Sequence, residues 1–253
     1  IIAGLPNGKE IQYGVASKVA KIMTIRAVPD GDERDKDVAN AIRYAVDNGA
    51  KVINMSFGKA FSPNKEKVWE AFQYAQDKGV LLVHAAGNEN ENLEENDKSP
   101  TNFKAQTDAK PFLNNRITVG ASTNDSEFLR ASFSNYSGKM VDVFAPGDKI
   151  YSTVIDGKYE YLQGTSMASP VVAGASAVLL AYMPNLKPEQ IIEALVNTVN
   201  KSEVNAMLKT NVNNRFDMIS KSGGVIDLYK AAQNAYDKFY KPTSTVKKVT
   251  PTL

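Results

Sequence analysis

The strongest constraint on the fold is an alternation of helices and apolar strands early in the chain. Apolar residues recur at helical spacing over residues 37–48, and Gly49 follows where a helix would end. The next segment, residues 51–55, is too short for a helix and predicts a buried strand. The order then repeats, because a second amphipathic segment ends at Gly79 and an unbroken apolar run, residues 80–83, follows directly. Strands that are apolar on both faces and alternate with helices predict an α/β fold, a doubly wound three-layer sandwich with a mainly parallel sheet.

The later part of the chain extends this pattern. Strands are predicted at residues 117–120 and 141–144, and helices from about Ser169, from about Lys187 and over residues 226–239. The helix from Ser169 has Pro170 in its first turn and is apolar or small on nearly all sides, which is typical of a core helix. The polar segment 89–110 is expected to be a long surface loop. We interpret residues 1–240 as one domain and residues 241–253 as a linker or C-terminal arm.

Composition excludes several classes of function. The chain has 253 residues with 30 basic and 28 acidic side chains, a formal charge of +2, so no nucleic-acid partner is expected. The absence of cysteine excludes disulfides, thiolate metal ligands and cysteine nucleophiles. No stretch approaches the roughly 20 apolar residues of a membrane-spanning helix, so no membrane span is predicted. Because the sequence starts at Ile1 without an initiator methionine or a signal peptide, we expect it to be a piece of a longer precursor.

A serine stands near the start of the predicted core helix, in the run GTSMASP at residues 164–170. A nucleophile needs an exposed oxygen and a place where developing negative charge is stabilised, and the start of a helix offers both. Gly164 allows a tight turn before Ser166, and small residues at 173–175 and 177 let the helix lie close to the sheet. Ser166 is therefore a candidate nucleophile, and the alternative interpretation is a turn with an ordinary helix cap.

Several motifs together resemble the subtilase family of serine peptidases. The run at residues 164–170, followed by VAG at 172–174, resembles the family's active-site serine signature. VINMSFG at 52–58 resembles the strand that ends in one wall of the main specificity pocket. AAGN at 85–88 resembles the opposite wall, followed by the oxyanion asparagine. ASFSNY at 131–136 and DVFAPG at 142–147 match two further segments, and the likeness extends from Ile1 to about Tyr236.

The resemblance implies roles for individual residues. Asn88 is expected to donate its side-chain amide to the oxyanion of the tetrahedral intermediate, together with the backbone N–H of Ser166. Taken alone, an asparagine after Gly87 is equally typical of an ordinary turn. The substrate-binding residues are expected in the two pocket walls: Ser56, Phe57 and Gly58 on one side, and Ala85, Ala86 and Gly87 on the other. Uncharged walls of this kind favour a large apolar or aromatic side chain before the scissile bond.

A complete catalytic triad also needs a general base and a carboxylate that orients it. The single histidine, His84, lies inside a predicted strand, where a buried structural histidine is expected rather than a base. The family's histidine and aspartate precede the point that corresponds to Ile1, so the resemblance implies that both lie upstream in the same precursor. Loss of the histidine costs about 10⁶ in kcat in subtilisin, a member of that family, so this chain alone is expected to be nearly inactive.

Two other functions are alternatives to the peptidase. A nucleotide-binding enzyme is disfavoured, because no lysine stands in phosphate-loop position and no G-x-G-x-x-G opens a helix. A noncatalytic binding or scaffold protein derived from a peptidase is the stronger alternative. A His-Gly-x-His segment shortly before Ile1 in the precursor would discriminate between the peptidase and the scaffold.

The resemblance also bears on cofactors, partners and location. Many family members bind calcium, and five acidic residues after Asn88 could supply oxygen ligands: Glu89, Glu91, Glu94, Glu95 and Asp97. A solvated acidic loop is the stronger interpretation, so no cofactor is assigned. The family implies protein or peptide substrates and a location that is secreted, periplasmic or at the cell surface.

Overall fold

The computed structural model describes residues 1–6, 12–28, 31, 33–58, 62–94, 113–206, 208 and 215–241. Its helices are α1 (Asp35–Asp47), α2 (Lys65–Asp77), α3 (Thr165–Tyr182), α4 (Pro188–Asn197) and α5 (Leu228–Ala235). Its strands are β1 (Val52–Met55), β2 (Leu81–Ala85), β3 (Arg116–Ser122), β4 (Val143–Pro146), β5 (Ile150–Thr153), β6 (Tyr159–Leu162), β7 (Asn200–Lys201) and β8 (Gly224–Val225). Most of the predicted loop at 89–110 and nearly all of the predicted arm at 241–253 lie outside the described residues.

Six strands form one sheet in the order β1-β2-β3-β4-β8-β7. Strands β1 to β4 and β8 pair in parallel, and the short β7 runs antiparallel to β8. Met55 of β1 lies opposite His84 of β2, so the segments that follow these two strands leave the same edge of the sheet. The mainly parallel sheet confirms the predicted α/β fold.

Helices cover both faces of this sheet. Leu81 and Val83 of β2 pack in the core that includes α3, α4 and α5, whereas Leu82 packs in the core under α1 and α2. Successive side chains of a strand point to opposite faces, so this alternation places the two helix groups on opposite sides. The result is the three-layer sandwich that the sequence predicts.

Some element boundaries differ from the predicted ones. Helix α3 begins at Thr165 rather than near Ser169, so Ser166 lies in its first turn. Strand β4 covers Val143–Pro146 rather than residues 141–144, and α5 ends at Ala235, where a π-helical turn takes over. The antiparallel hairpin of β5 and β6 was not predicted. Strand β6 is largely exposed, with Tyr161 69% exposed, and β5 is mostly half-buried, so neither has the apolar run that identifies a buried strand.

Helix α3 is longer than the sequence pattern indicates, and it is apolar as predicted. Its 18 residues, Thr165–Tyr182, would be enough by length and composition alone to cross a membrane. In the structure, however, 56% of this stretch is buried, and the helix packs against β1, β2, β3 and β4. Its position is that of a core helix.

The first 28 residues differ from the rest of the fold. The described residues 1–6 and 12–28 contain neither helix nor strand, although Val15 and Ala16 donate backbone hydrogen bonds to Ile1 O (2.9 Å) and Ile2 O (2.7 Å). Several large apolar side chains in this segment are exposed, among them Leu5 and Ile22 at 58% each. Among the described strands, β1 pairs with β2 alone and forms one edge of the sheet.

Candidate active site

Ser166 is the second residue of α3 and follows a sharp turn at Gly164, whose φ of 147° favours glycine. Its side chain is half-buried, and its Oγ donates a hydrogen bond to the carbonyl oxygen of Ser56 at 3.1 Å. The first N–H groups of a helix have no acceptor within the helix, and the helix dipole places positive potential there. The backbone N–H of Ser166 is therefore available to a developing negative charge.

Asn88 is exposed on the loop that follows β2. Its Oδ1 accepts hydrogen bonds from the backbone N–H of Thr165 at 2.8 Å and from Thr165 Oγ1 at 3.0 Å. Because a backbone N–H can only donate, these bonds turn Oδ1 toward α3 and leave Nδ2 as the outward donor. No acceptor for Nδ2 occurs among the described residues. The side chain is thus oriented as an oxyanion donor requires.

The two proposed oxyanion donors face the same small space beside Gly164. A Cβ atom placed on Gly164 would lie 3.5 Å from Asn88 Nδ2 and 3.6 Å from the backbone nitrogen of Ser166. Any side chain at this position would therefore fill the space between the donors. Glycine keeps this space open, and a substrate oxygen is the proposed occupant.

Thr165 links the start of α3, which carries Ser166, to the loop that carries Asn88. Its Oγ1 accepts a hydrogen bond from the backbone N–H of Gly87 at 3.1 Å, in addition to the two bonds with Asn88. The sequence did not assign a role to Thr165, although the residue lies within the serine motif. Its role depends on an approach between segments 77 residues apart in the chain, which no local pattern reveals.

A second set of hydrogen bonds fixes the start of α3 against the end of β1. Ser56 Oγ donates to the carbonyl oxygen of Ser166 at 2.9 Å and accepts from Asn54 Nδ2 at 3.0 Å. Asn54 Oδ1 in turn accepts from Ser169 Oγ at 2.7 Å. Neither Asn54 nor Ser169 was predicted to support the site. These bonds hold the backbone of Ser166 against the end of β1, whereas Thr165 holds it against the loop of Asn88.

The predicted pocket walls follow the adjacent strands β1 and β2. On the first wall Ser56 and Phe57 are half-buried and Gly58 is exposed, whereas on the second Ala85 and Ala86 are buried and Gly87 is half-buried. Phe57 packs against the core under α1 and α2. Glu33 Oε1 accepts a hydrogen bond from the backbone N–H of Gly58 at 3.2 Å, which places a carboxylate at the end of the first wall. The sequence pattern did not predict this charge.

A cleft of about 470 Å³ is bordered by Met167, the residue that follows Ser166. Its lining is mainly apolar and comes from the first 28 residues, from the β5–β6 hairpin and from α3, with Ile2, Ile22, Ile150 and Leu162 among the residues. The N-terminal segment, with the exposed side chain of Ile22, thus borders α3 directly.

His84 is buried and does not contact Ser166. It pairs with Met55, which belongs to the core under α1 and α2, and its neighbour Val83 points toward α3. Its side chain therefore lies on the sheet face away from the nucleophile. His84 Nε2 is hydrogen bonded to the carbonyl oxygen of Phe57 at 3.1 Å. Burial, aided by the charge of Arg116, lowers the pKa of His84 to about 3, so the ring is neutral at pH 7.

The acidic segment after Asn88 does not fit a calcium site in its described part. Glu94 forms an ion pair with Lys139 (2.9 Å) and accepts a hydrogen bond from Ser137 Oγ at 2.9 Å. Glu89 accepts from Asn135 Nδ2 at 2.5 Å. Within the described ranges, no group of three or more His, Cys, Asp or Glu residues could hold a metal ion. Glu95 and Asp97 lie outside those ranges.

Comparison with known proteins gives a consistent result. Thermophilic serine proteinase of Bacillus sp. (strain AK1) is 39% identical over 181 residues, and thermitase of Thermoactinomyces vulgaris is 37% identical over 202 residues. These matches cover 71% and 79% of this chain, but the chain spans 41% and 65% of the two relatives. The crystal structure of a cold adapted subtilisin-like serine proteinase matches with a TM-score of 0.65 and 30% identity, covering 89% of this chain and 69% of that one.

The family assignment rests on the same stretch of sequence that forms the site. The model of the subtilase family matches residues 1–221, which include β1, β2, α3 and the loops that carry Asn88 and Ser166. The chain therefore belongs to the subtilase family of serine peptidases.

Proposed function

We propose that this chain is the nucleophile-bearing part of a serine endopeptidase that acts through an acyl-enzyme on Ser166. The observation that carries the proposal is the joining of two elements by Thr165, which connects the helix start at Ser166 with the loop at Asn88. The N–H of Ser166 at the helix N-terminus and the outward amide donor of Asn88 then share one small space, next to the residue that carries the serine hydroxyl.

The proposed reaction follows from this arrangement. Ser166 Oγ attacks the carbonyl carbon of the peptide bond while a base removes its proton, and the carbonyl oxygen becomes an oxyanion. Asn88 Nδ2 and the backbone N–H of Ser166 donate hydrogen bonds to that oxygen. The base returns the proton to the leaving amine as the C–N bond breaks. Water then hydrolyses the ester on Ser166 and releases the second product.

The general base and its orienting carboxylate are proposed to come from a segment of the same precursor that precedes Ile1. His84 is the single histidine of the chain and lies on the sheet face away from Ser166. Two features support an additional layer of protein next to the site. The described part of the sheet leaves β1 at its edge. Leu5 and Ile22 of the N-terminal segment are exposed, and Ile22 lines the cleft that Met167 also borders.

The proposed substrates are proteins or peptides with a large apolar or aromatic side chain before the scissile bond. None of the six pocket-wall residues, Ser56 to Gly58 and Ala85 to Gly87, has a charged side chain. Peptides that differ in this one side chain would test the preference. We expect Phe and Leu to give the highest kcat/KM, and a preference for Lys would instead assign the pocket's selectivity to Glu33.

The proposed function is tested on the longer precursor that contains this chain. We expect it to hydrolyse peptides, and we expect Ser166→Ala to abolish turnover. Ser176→Ala is the matched control, because Ser176 is buried in the same helix and its Oγ donates to the carbonyl oxygen of Val172 at 2.8 Å. Turnover that survives in Ser166→Ala would rule out the mechanism.

A noncatalytic binding or scaffold protein is the second candidate. The observation that favours it is the burial of His84, which leaves the described residues without a base near Ser166. A precursor without a His-Gly-x-His segment shortly before Ile1, combined with no reaction of Ser166 with a fluorophosphonate, would establish this alternative.

The family also supports a proposed location outside the cytoplasm, either secreted, periplasmic or at the cell surface. Fractionation of cells that express the tagged precursor tests this location. Recovery in the cytoplasmic fraction alone would contradict it.

A further inference from the structure

We infer that Asn135 is a positioning residue for the oxyanion loop, residues 86–91. By fixing this loop it sets the position of Asn88. The inference rests on the proposed peptidase function and extends it to a residue that touches neither substrate nor nucleophile. Asn135 is fully buried and lies in the segment after β3, far in sequence from the loop that it holds.

The side chain of Asn135 spans the loop from its first residue to its last. Its Nδ2 donates to the carbonyl oxygen of Ala86 at 2.9 Å, and its Oδ1 accepts from the backbone N–H groups of Glu89 at 3.1 Å and Glu91 at 2.9 Å. Nδ2 also donates to Glu89 Oε2 at 2.5 Å. Asn88 lies at the centre of the span, between these anchor points.

Backbone hydrogen bonds join the same two segments. Asn135 N–H donates to Gly87 O at 3.0 Å, Asn90 N–H donates to Phe133 O at 2.8 Å, and Tyr136 N–H donates to Glu91 O at 3.0 Å. The Asn135 side chain bonds to other backbone groups of the same loop: the carbonyl oxygen of Ala86 and the N–H groups of Glu89 and Glu91. The amide of Asn135 therefore completes a pairing that backbone groups alone leave open.

Gly87 makes room for this side chain. Its φ is 97°, and a Cβ atom placed there would lie 2.6 Å from Glu89 Oε2 and closer still to Asn135 Nδ2. The loop thus combines a left-handed glycine with a buried amide that occupies the volume of the absent Cβ.

The catalytic consequence follows from the geometry of oxyanion stabilisation. A donor contributes strongly when it is already in place before the charge develops. Thr165 holds Asn88 from the side of α3, and Asn135 holds the loop from the side of the sheet. Because displacement of a catalytic group by about 1 Å can cost about 10² in rate, we expect Asn135→Ala to lower kcat by about that factor with little change in KM.

The test is a double-mutant cycle with Asn88 in the longer, active precursor. If Asn135 acts through Asn88, Asn135→Ala lowers kcat in the wild-type background and has little further effect in the Asn88→Ala background. Asn135→Asp, which has the same size but lacks the two donors, replaces Asn135→Ala in the cycle if the alanine variant does not fold. Additive losses, or an undiminished kcat in the single variant, overturn the inference.

The matched control for a merely structural effect is Asn115→Ala. Asn115 is also buried, and its Nδ2 donates to a backbone carbonyl oxygen, that of Val80, at 2.8 Å. It lies just before β3, where the parallel strands begin, whereas the loop of Asn88 follows the end of β2. We expect it to lower thermal stability while leaving kcat per folded molecule unchanged. An inactive wild-type precursor counts against the proposed function as well, whereas an active wild type with additive losses counts against the role of Asn135 alone.

Discussion

The oxyanion side of the site and the N-terminal segment are built in opposite ways. Around Asn88 the polar groups are held by named partners, since Thr165 and Asn135 bond to the loop from two sides. The described residues 1–6 and 12–28 contain no helix or strand and expose large apolar side chains such as Leu5, Ile22 and Met23. One region is held by its own hydrogen bonds, and the other exposes apolar side chains of the kind that mark interaction surfaces.

This difference bears on the two components of the proposed peptidase chemistry. The proposed nucleophile and oxyanion donors are held by α3, by β2 and by the segment after β3. The single histidine of the chain, His84, lies on the sheet face away from Ser166. In the proposed peptidase the charge-stabilising groups belong to this chain, and the base is expected from the segment before Ile1.

The largest effect is expected from adding the segment before Ile1. Residues 1–253 alone should hydrolyse a peptide with a kcat about 10⁶ lower than that of the longer precursor, the loss known for removal of the histidine in subtilisin. Steady-state turnover of the two proteins measures the ratio. Equal activity would mean that the base lies within residues 1–253.

The next effect concerns Asn88. Asn88→Ala should lower kcat of the precursor by about 10²–10³ and change KM little, by analogy with the loss measured for the corresponding donor in subtilisin. Asn48→Ala is the control, since Asn48 is exposed and its Nδ2 donates to the carbonyl oxygen of Tyr44 at 2.8 Å, away from the site. A change confined to KM would assign Asn88 to ground-state binding instead.

A smaller effect on stability is expected at Gly87. Gly87→Ala combines backbone strain with a clash against Asn135 and Glu89, and should lower the free energy of unfolding by about 1–3 kcal/mol. Gly157→Ala is the matched control, because Gly157 also has a positive φ, 67°, but no atom lies within 4 Å of its Cβ position. Denaturant unfolding should show the greater loss for Gly87→Ala, and equal losses would remove the steric part of the explanation.

An effect on stability of similar size is expected from the pH dependence at His84. Its pKa is about 3 in the folded protein and about 6.5 when unfolded, so the unfolded chain binds more protons between these values. Stability from the neutral ring is full above pH 6.5 and is lost as the pH falls. Between pH 7 and pH 5 we expect about 2 kcal/mol of loss in the wild type that is absent in His84→Gln. Parallel unfolding curves for the two proteins would place the pKa of the folded state near its ordinary value.

Sequence patterns predicted the layers of the fold because buried parallel strands carry continuous apolar runs, as at residues 80–83. They missed the β5–β6 hairpin, because β6 is largely exposed and neither strand has such a run. Of the site, Ser166 and Asn88 were predicted by local motifs, and their assigned roles stay predictions. Thr165, Asn54 and Asn135 were not singled out for a role, because each acts through hydrogen bonds between segments that are distant in the chain.

The site of covalent labelling tests most directly whether Ser166 is the nucleophile. The longer precursor is treated with a fluorophosphonate, digested, and analysed by mass spectrometry for the modified residue. The account predicts a single adduct on Ser166 that is absent in Ser166→Ala and forms more slowly in Asn88→Ala, because the same donors stabilise the charge on the phosphonyl oxygen. An adduct on another residue, or no adduct on Ser166 in an active precursor, would contradict it.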